Sequence, residues 1–108
     1  MHQINIKPLS LNKAYSGRRF KSKELEMYKK ELSYLLPKKS KLTGELSVKI
    51  VFGFSSKGSD IDNCVKCFLD ALSENYGFND NRVYKLEVEK VDVVKGQEYI
   101  CFEIESML

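Results

Sequence analysis

The segment from residue 60 to residue 80 contains aspartates whose spacing suits a metal-dependent hydrolytic site. Asp60 and Asp62 lie two residues apart, where an extended segment enters a helical pattern, so both carboxylates can point to one side. Asp80 follows 18 residues after Asp62. Carboxylates that are gathered in one place repel each other unless a cation lies among them. With oxygen donors and no nearby histidine, the expected cation is Mg²⁺, or alternatively Mn²⁺.

Lys66 and Asp70 continue this polar pattern along the predicted helix. Lys66 is four residues after Asp62 and Asp70 four after Lys66, which places all three on one helical face. An ammonium beside a metal ion can stabilise the charge that develops on a phosphoryl group. A purely structural interpretation is also open: Asp60 and Asp62 as a turn and a helix cap, and Lys66 and Asp70 as an ordinary ion pair.

Hydrophobic periodicity predicts the elements that position these residues. Strands are predicted at about 3–7, at 46–54, from Tyr84 to near Val94, and around Ile100, with a hairpin turn at Lys95-Gly96. A first helix is predicted to begin with Ser22 as its cap and to end before Pro37, and a second to begin with Asp62 as its cap. The predicted buried faces of the two helices are Leu25, Tyr28, Leu32 and Leu35 in the first, and Val65, Phe68, Leu69 and Leu72 in the second.

This element order predicts a single α+β domain over residues 1–108. The order is β-α-β-α-β-β, and we expect two helices on one face of a mixed four-stranded β-sheet. A chain of 108 residues leaves no room for a second domain of ordinary size.

Charge is distributed unevenly along the chain, although the net charge is only +3. Residues 1–41 hold 11 Lys and Arg against 3 Asp and Glu, whereas the remainder holds 7 against 12. A cationic segment beside an acidic site is typical of a metal-dependent enzyme that acts on nucleic acid. The candidate phosphate-binding residues lie in a predicted basic loop and on the first helix: Lys13, Arg18, Arg19, Lys21, Lys29 and Lys30.

Three cysteines, Cys64, Cys67 and Cys101, cannot all pair within one chain. We expect small buried hydrophobic side chains in a reducing cytoplasm, because a zinc site would lack a convincing set of four ligands. The sequence also has no pattern typical of a signal peptide or a membrane-spanning helix.

The central block resembles the RusA family of Holliday junction resolvases. The residues that carry the resemblance are Asp60-Ile61-Asp62-Asn63-Cys64-Val65-Lys66, Asp70-Ala71-Leu72, Gly77-Phe78-Asn79-Asp80-Asn81-Arg82-Val83 and Lys90. They are similar to the family's pattern D-x-D-N-x-x-K, D-A-L, D-D-x-x-V and a downstream lysine. The family commonly has two acids where this chain has Asn79-Asp80, and we align Asp80 with the second.

The resemblance implies a homodimeric, Mg²⁺-dependent endodeoxyribonuclease, encoded by bacteria or phages, that acts in recombination and repair. Such an enzyme cuts four-way DNA junctions by paired nicks. Asp60, Asp62 and Asp80 match the family's metal-binding acids and Lys66 its essential lysine, while Asn63 and Asp70 match supporting positions.

Two other interpretations of the sequence are open. The protein could bind branched DNA without cutting it, or a nuclease of this type could act on flaps or forks rather than on four-way junctions.

Overall fold

A computed structural model describes residues 1–10, 23–39 and 41–107. The strands are β1 (His2–Ile4), β2 (Leu46–Phe54), β3 (Val83–Asp92) and β4 (Tyr99–Ser106), and the helices are α1 (Lys23–Leu35) and α2 (Ile61–Tyr76). A short 3₁₀ helix, Asp80–Arg82, precedes β3. The predicted fold class and element order are confirmed.

The four strands form one mixed sheet with the order β1-β4-β2-β3. Strand β2 pairs parallel with β3 and antiparallel with β4, and β4 pairs antiparallel with β1. Parallel neighbours need a long crossover, which α2 provides between β2 and β3. The N-terminus of α2 therefore follows the carboxyl end of β2, the end of a parallel strand at which active sites commonly form.

The core lies between the helices and one face of the sheet. Alternate residues of β2 from Leu46 to Phe54 are buried, as the pattern predicts. Phe68 of α2 makes edge-to-face contacts with Phe52 of β2 and Phe102 of β4, with ring centroids 6.2 and 5.5 Å apart. These contacts fix α2 over the centre of the sheet.

The buried face of α2 is rotated from the prediction. Phe68 and Leu72 are buried as expected, but Val65 and Leu69 lie only partly buried at the margin of the core. The small side chains of Cys64, Cys67 and Ala71 are buried instead, which lets the helix approach the sheet closely. The expectation that Cys64 and Cys67 are buried is thus confirmed, and Cys101 is partly exposed.

The predicted hairpin between β3 and β4 is wrong. The two strands lie on opposite sides of β2, so the connection crosses the end of β2, where the Val93 amide donates to the Phe54 carbonyl at 2.8 Å. A turn does form at Lys95-Gly96, with Gly96 at a φ of 94°. The alternating pattern of β3 and β4 predicted strands but not which strand pairs with which.

Smaller corrections concern the ends of elements. Strand β1 ends at Ile4 rather than near Lys7, because the Ile6 amide turns back to the Ile4 carbonyl at 3.0 Å. Strand β3 ends at Asp92 rather than near Val94. Leu35 is 42% exposed at the end of α1, where Leu36 packs against the core instead. The predicted cap Ser22 lies outside the described residues.

Candidate active site

Asp60 is the N-cap of α2, a position predicted for Asp62. Its backbone is extended, with φ −93° and ψ 131°, and its carboxylate makes no capping hydrogen bond to the helix. Asp62 lies two residues further along, in the first turn of the helix. Both side chains are exposed at the positive end of the helix dipole, which stabilises negative charge.

Asn63 links these two aspartates. Its side-chain amide donates to Asp60 Oδ2 at 3.3 Å, and its backbone N–H donates to Asp62 Oδ1 at 3.0 Å. The supporting position assigned to Asn63 therefore lies in direct contact with both carboxylates. We call Asp60 and Asp62 the carboxylate pair.

Lys66 lies between two further carboxylates. Its Nζ is 3.1 Å from Asp70 Oδ1, the predicted i,i+4 pair, and 3.4 Å from Asp80 Oδ2. The hydrogen bond and charge of Asp70, followed by those of Asp80, raise the pKa of Lys66 above its ordinary value of 10.5. The ammonium is therefore charged throughout the neutral range. We call Lys66, Asp70 and Asp80 the lysine cluster.

Asp80 reaches Lys66 because the chain reverses after α2. Gly77 ends the helix in the left-handed conformation, with a φ of 69°, and its amide donates to the Ser73 carbonyl at 2.9 Å. The side chain of Asn79 then caps the 3₁₀ helix by accepting from the Asn81 amide at 3.1 Å. Asn79, where the RusA pattern commonly has an acid, thus has a structural contact of its own.

The expected gathering of three carboxylates is not observed in the described part of the chain. Within residues 1–10, 23–39 and 41–107, no three acidic, histidine or cysteine side chains are grouped closely enough to hold a metal ion. Asp80 is paired with Lys66, whose positive charge offsets the repulsion between Asp70 and Asp80. The structure therefore divides the six candidate residues between the carboxylate pair with Asn63 and the adjacent lysine cluster.

Cys64 is buried in α2, two residues after Asp62. Burial, followed by the negative charges that Cys67, Asp60 and Asp62 can carry, raises its pKa to about 11. The thiol therefore stays protonated at neutral pH, a state that suits a hydrophobic residue and disfavours a nucleophile or zinc ligand.

A cavity of about 590 Å³ opens beside the carboxylate pair. It extends from Asp60 and Asn63 to Tyr28 and Met27 of α1 and to Phe54 at the end of β2. Asp60, one member of the carboxylate pair, thus lies at the rim of a concave surface.

The proposed phosphate-binding cations are only partly described. Lys13, Arg18, Arg19 and Lys21 lie outside the described residues. Lys29 forms an ion pair with Glu74 of α2 at 2.8 Å, so it connects the two helices. Lys30 is exposed on α1.

Lys90, for which no role was predicted, contacts the loop before α2. Its ammonium donates to the backbone carbonyls of Lys57 and Ser59, in the loop that leads to Asp60. The only signal in the sequence was its place in the pattern of the resemblance.

Comparison with protein families decides the classification. The family model described as Endodeoxyribonuclease RusA matches residues 7–100 of the 108-residue chain. The chain belongs to the RusA endodeoxyribonuclease family. The match includes the carboxylate pair, the lysine cluster and Lys90 of this RusA-family protein. A comparison with curated proteins finds no match.

The helices α1 and α2 cannot span a bilayer. Neither these nor any other helix in the described part of this RusA-family protein is long and apolar enough to cross a membrane.

Proposed function

We propose that the protein is a homodimeric, Mg²⁺-dependent endonuclease that resolves four-way DNA junctions by paired nicks in recombination and repair. The observation that carries the proposal is the carboxylate pair: two exposed aspartates at the positive end of α2, both in contact with Asn63. Asp62 lies one helical turn before Lys66. Membership of a nuclease family makes phosphodiester hydrolysis the reaction to test at this site.

The donor set fits a hard divalent cation. Asp60 and Asp62 offer carboxylate oxygens, and the Asp60 carboxylate is not used as a helix cap. Magnesium is commonly held by one or two carboxylates together with water and substrate phosphate. Two carboxylates are therefore enough protein ligands for a magnesium site. When bound, Mg²⁺ or Mn²⁺ would supply Lewis-acid polarisation of a phosphate oxygen and acidify water.

We propose Asp80 as the third metal-binding residue. Its present contact with Lys66 is a half-exposed ion pair, with side-chain exposures of 51% for Asp80 and 54% for Lys66. Exposed pairs of this kind contribute about 0–1 kcal/mol, so Asp80 can exchange partners at small cost. Asp80 is the first residue of a short 3₁₀ helix rather than part of a long helix, which allows local adjustment.

Lys66 would stabilise negative charge on the phosphoryl group. Its raised pKa keeps it protonated, so it acts as a fixed positive charge rather than as a proton donor at neutral pH. Asp70, the closer partner at 3.1 Å, orients the ammonium and remains beside it if Asp80 turns toward a cation. No covalent enzyme intermediate is needed.

The cationic N-terminal part of the chain would bind DNA phosphates without reading sequence. We assign this role to Lys13, Arg18, Arg19, Lys21, Lys29 and Lys30, of which Lys29 also pairs with Glu74. A four-way junction has two equivalent strands to cut, and a two-fold homodimer would present two equivalent sites.

A second candidate function is the binding of branched DNA without cleavage. It is favoured by one observation: among the described residues, Asp80 pairs with Lys66 and no group of three metal-binding side chains forms.

One assay separates the two functions. A synthetic four-way junction is incubated with the protein in the presence and absence of Mg²⁺, beside the Asp62→Asn variant. We expect symmetric nicks that require both the metal and Asp62. Tight binding of the junction with no cleavage at any divalent cation would reject the nuclease and support the binding module. Flap and fork substrates in the same assay identify the preferred branch.

A further inference from the structure

Lys90 lies where it can control the loop that carries Asp60. It is in β3, paired in register with Phe52 of β2, so its side chain lies on the helix side of the sheet near the end of β2. From there Nζ donates to the carbonyl oxygens of Lys57 at 3.1 Å and Ser59 at 2.8 Å. The Ser59 carbonyl belongs to the peptide bond that joins Ser59 to Asp60.

An ammonium is well suited to this position. The two carbonyls point their partial negative charges at one atom, and Nζ of lysine carries three donors on a single atom. The same Nζ lies 5.9 Å from the centre of the Phe54 ring, within the range of a cation–π contact. The ammonium of Lys90 therefore contacts groups of the protein itself, which distinguishes it from a lysine whose ammonium is exposed for binding phosphate.

The loop has few other constraints. Between Phe54 and Asp60 the Ser59 amide donates to the Ser56 carbonyl at 3.3 Å, a long contact, and Ser55 Oγ donates to Glu98 at 2.6 Å at the far end. Of the described contacts of residues 56–59, the two shortest are therefore those with Lys90. Carboxylates that bind a metal depend on such neighbouring contacts for their orientation.

We propose that Lys90 is a positioning residue that holds the 57–59 loop by its backbone carbonyls and so fixes Asp60 for metal binding. The metal-binding part rests on the proposed function, whereas the loop contact does not. Lys90 acts through Asp60 and is not itself placed against the reacting phosphate.

The test compares Lys90→Met with Lys90→Arg and with the control Lys85→Met. Methionine keeps an unbranched side chain of similar length but has neither the charge nor a donor, so it loses the two carbonyl contacts and the cation–π contact with Phe54. Arginine retains charge and donors. Lys85 is on the same strand, where it pairs with Glu87 at 3.3 Å, so its variant removes the same charge without touching the loop. The readouts are amide hydrogen exchange at residues 57–61 without metal, Mn²⁺ affinity by calorimetry, and the melting temperature.

In Lys90→Met we expect exchange at Ser59 to accelerate about tenfold or more and Mn²⁺ to bind about tenfold more weakly, within the range of outer-shell substitutions. Lys90→Arg should recover most of both, and Lys85→Met should match the parent protein. Unchanged exchange in Lys90→Met, or equal losses in Lys85→Met, would overturn the proposal.

If Lys90→Met does not fold, Lys90→Gln replaces it. Its side chain is neutral and shorter, so we expect faster exchange at Ser59, and unchanged exchange would overturn the proposal. If the parent protein neither binds Mn²⁺ nor cuts a junction, the proposed function fails and the metal-binding part with it. Amide hydrogen exchange at residues 57–61 then still tests whether Lys90 holds the loop.

Discussion

Two neighbouring regions of the site, the carboxylate pair and the lysine cluster, stabilise negative charge in different ways. At the N-terminus of α2, Asp60 and Asp62 are held by the helix dipole and by two N–H donors of Asn63. One turn further along α2, the ammonium of Lys66 is shared by Asp70 of the same helix and by Asp80 of the following 3₁₀ helix. The first group is anionic without a cationic side chain at hydrogen-bond distance in the contacts described above, whereas the second contains its own cation. The comparison indicates that an added divalent cation would have its most favourable electrostatic interaction at the carboxylate pair.

Replacing Lys66 with methionine should have the largest effect and break the second half of the comparison. We expect junction cleavage to fall about 100- to 1,000-fold, the loss typical of removing one group that stabilises transition-state charge. Mn²⁺ affinity should be equal or higher, because Asp80 is released. Single-turnover cleavage and calorimetry measure the two quantities. Parallel losses of metal affinity and cleavage would show that Lys66 supports the metal site rather than the transition state.

The sequence was sufficient where the determining contacts are local. The alternation of Leu46 to Phe54 defines β2, and the two-residue spacing of Asp60 and Asp62 brings both to the start of α2. The N-cap of α2 was mispredicted as Asp62. Aspartate is a favoured capping residue at either position, and which of the two becomes the cap depends on where the turn after β2 ends.

The sequence was insufficient where distant segments meet. Periodicity gives the faces of a strand but not its neighbour, so β3 and β4 were wrongly expected to form a hairpin. The partner of Asp80 depends on the left-handed turn at Gly77 and the cap at Asn79, which together direct it to Lys66. Likewise, no local pattern indicates that Lys90 contacts a loop more than 30 residues earlier in the chain.

Replacing Asn63 with alanine should weaken the first half of the comparison. The Asp60 carboxylate then loses its amide donor, and its orientation relative to Asp62 is less restricted. We expect Mn²⁺ affinity to fall about 10-fold, at the lower end of the range for residues that orient metal ligands. Calorimetry on Asn63→Ala, with Asn75→Ala of the same helix as control, measures the effect. An unchanged affinity would mean that Asn63 does not orient the pair.

Replacing Asp70 with asparagine should sharpen the comparison through the pKa of Lys66. Asp70 is the main cause of the raised pKa, so Asp70→Asn should lower it toward its ordinary value of 10.5. Because the pKa is raised in the folded state, any stabilisation by the cluster is present below pH 10.5 and is lost as the pH rises through the folded-state pKa. An NMR titration of the Lys66 side chain measures the shift; a pKa that does not fall would contradict the assigned contact.

Two neighbouring lysines of α1 should give the smallest effects. For Lys30→Met we expect junction binding to weaken modestly and the slope of log affinity against log salt to decrease by about one, as for one lost phosphate contact. Lys29→Met should lower thermal stability more, because it breaks the contact with Glu74. Binding at several salt concentrations, with melting curves of both variants, tests this. Identical salt slopes in Lys30→Met and the parent would show that Lys30 does not contact a DNA phosphate.

The most direct test of the central claim is Mn²⁺ binding by calorimetry to the parent protein and to Asp60→Asn, Asp62→Asn and Asp70→Asn. The carboxylate pair predicts binding that is lost in the first two variants and retained in Asp70→Asn. Binding that survives in Asp60→Asn and Asp62→Asn but is lost in Asp70→Asn would place the cation at the lysine cluster and contradict the account.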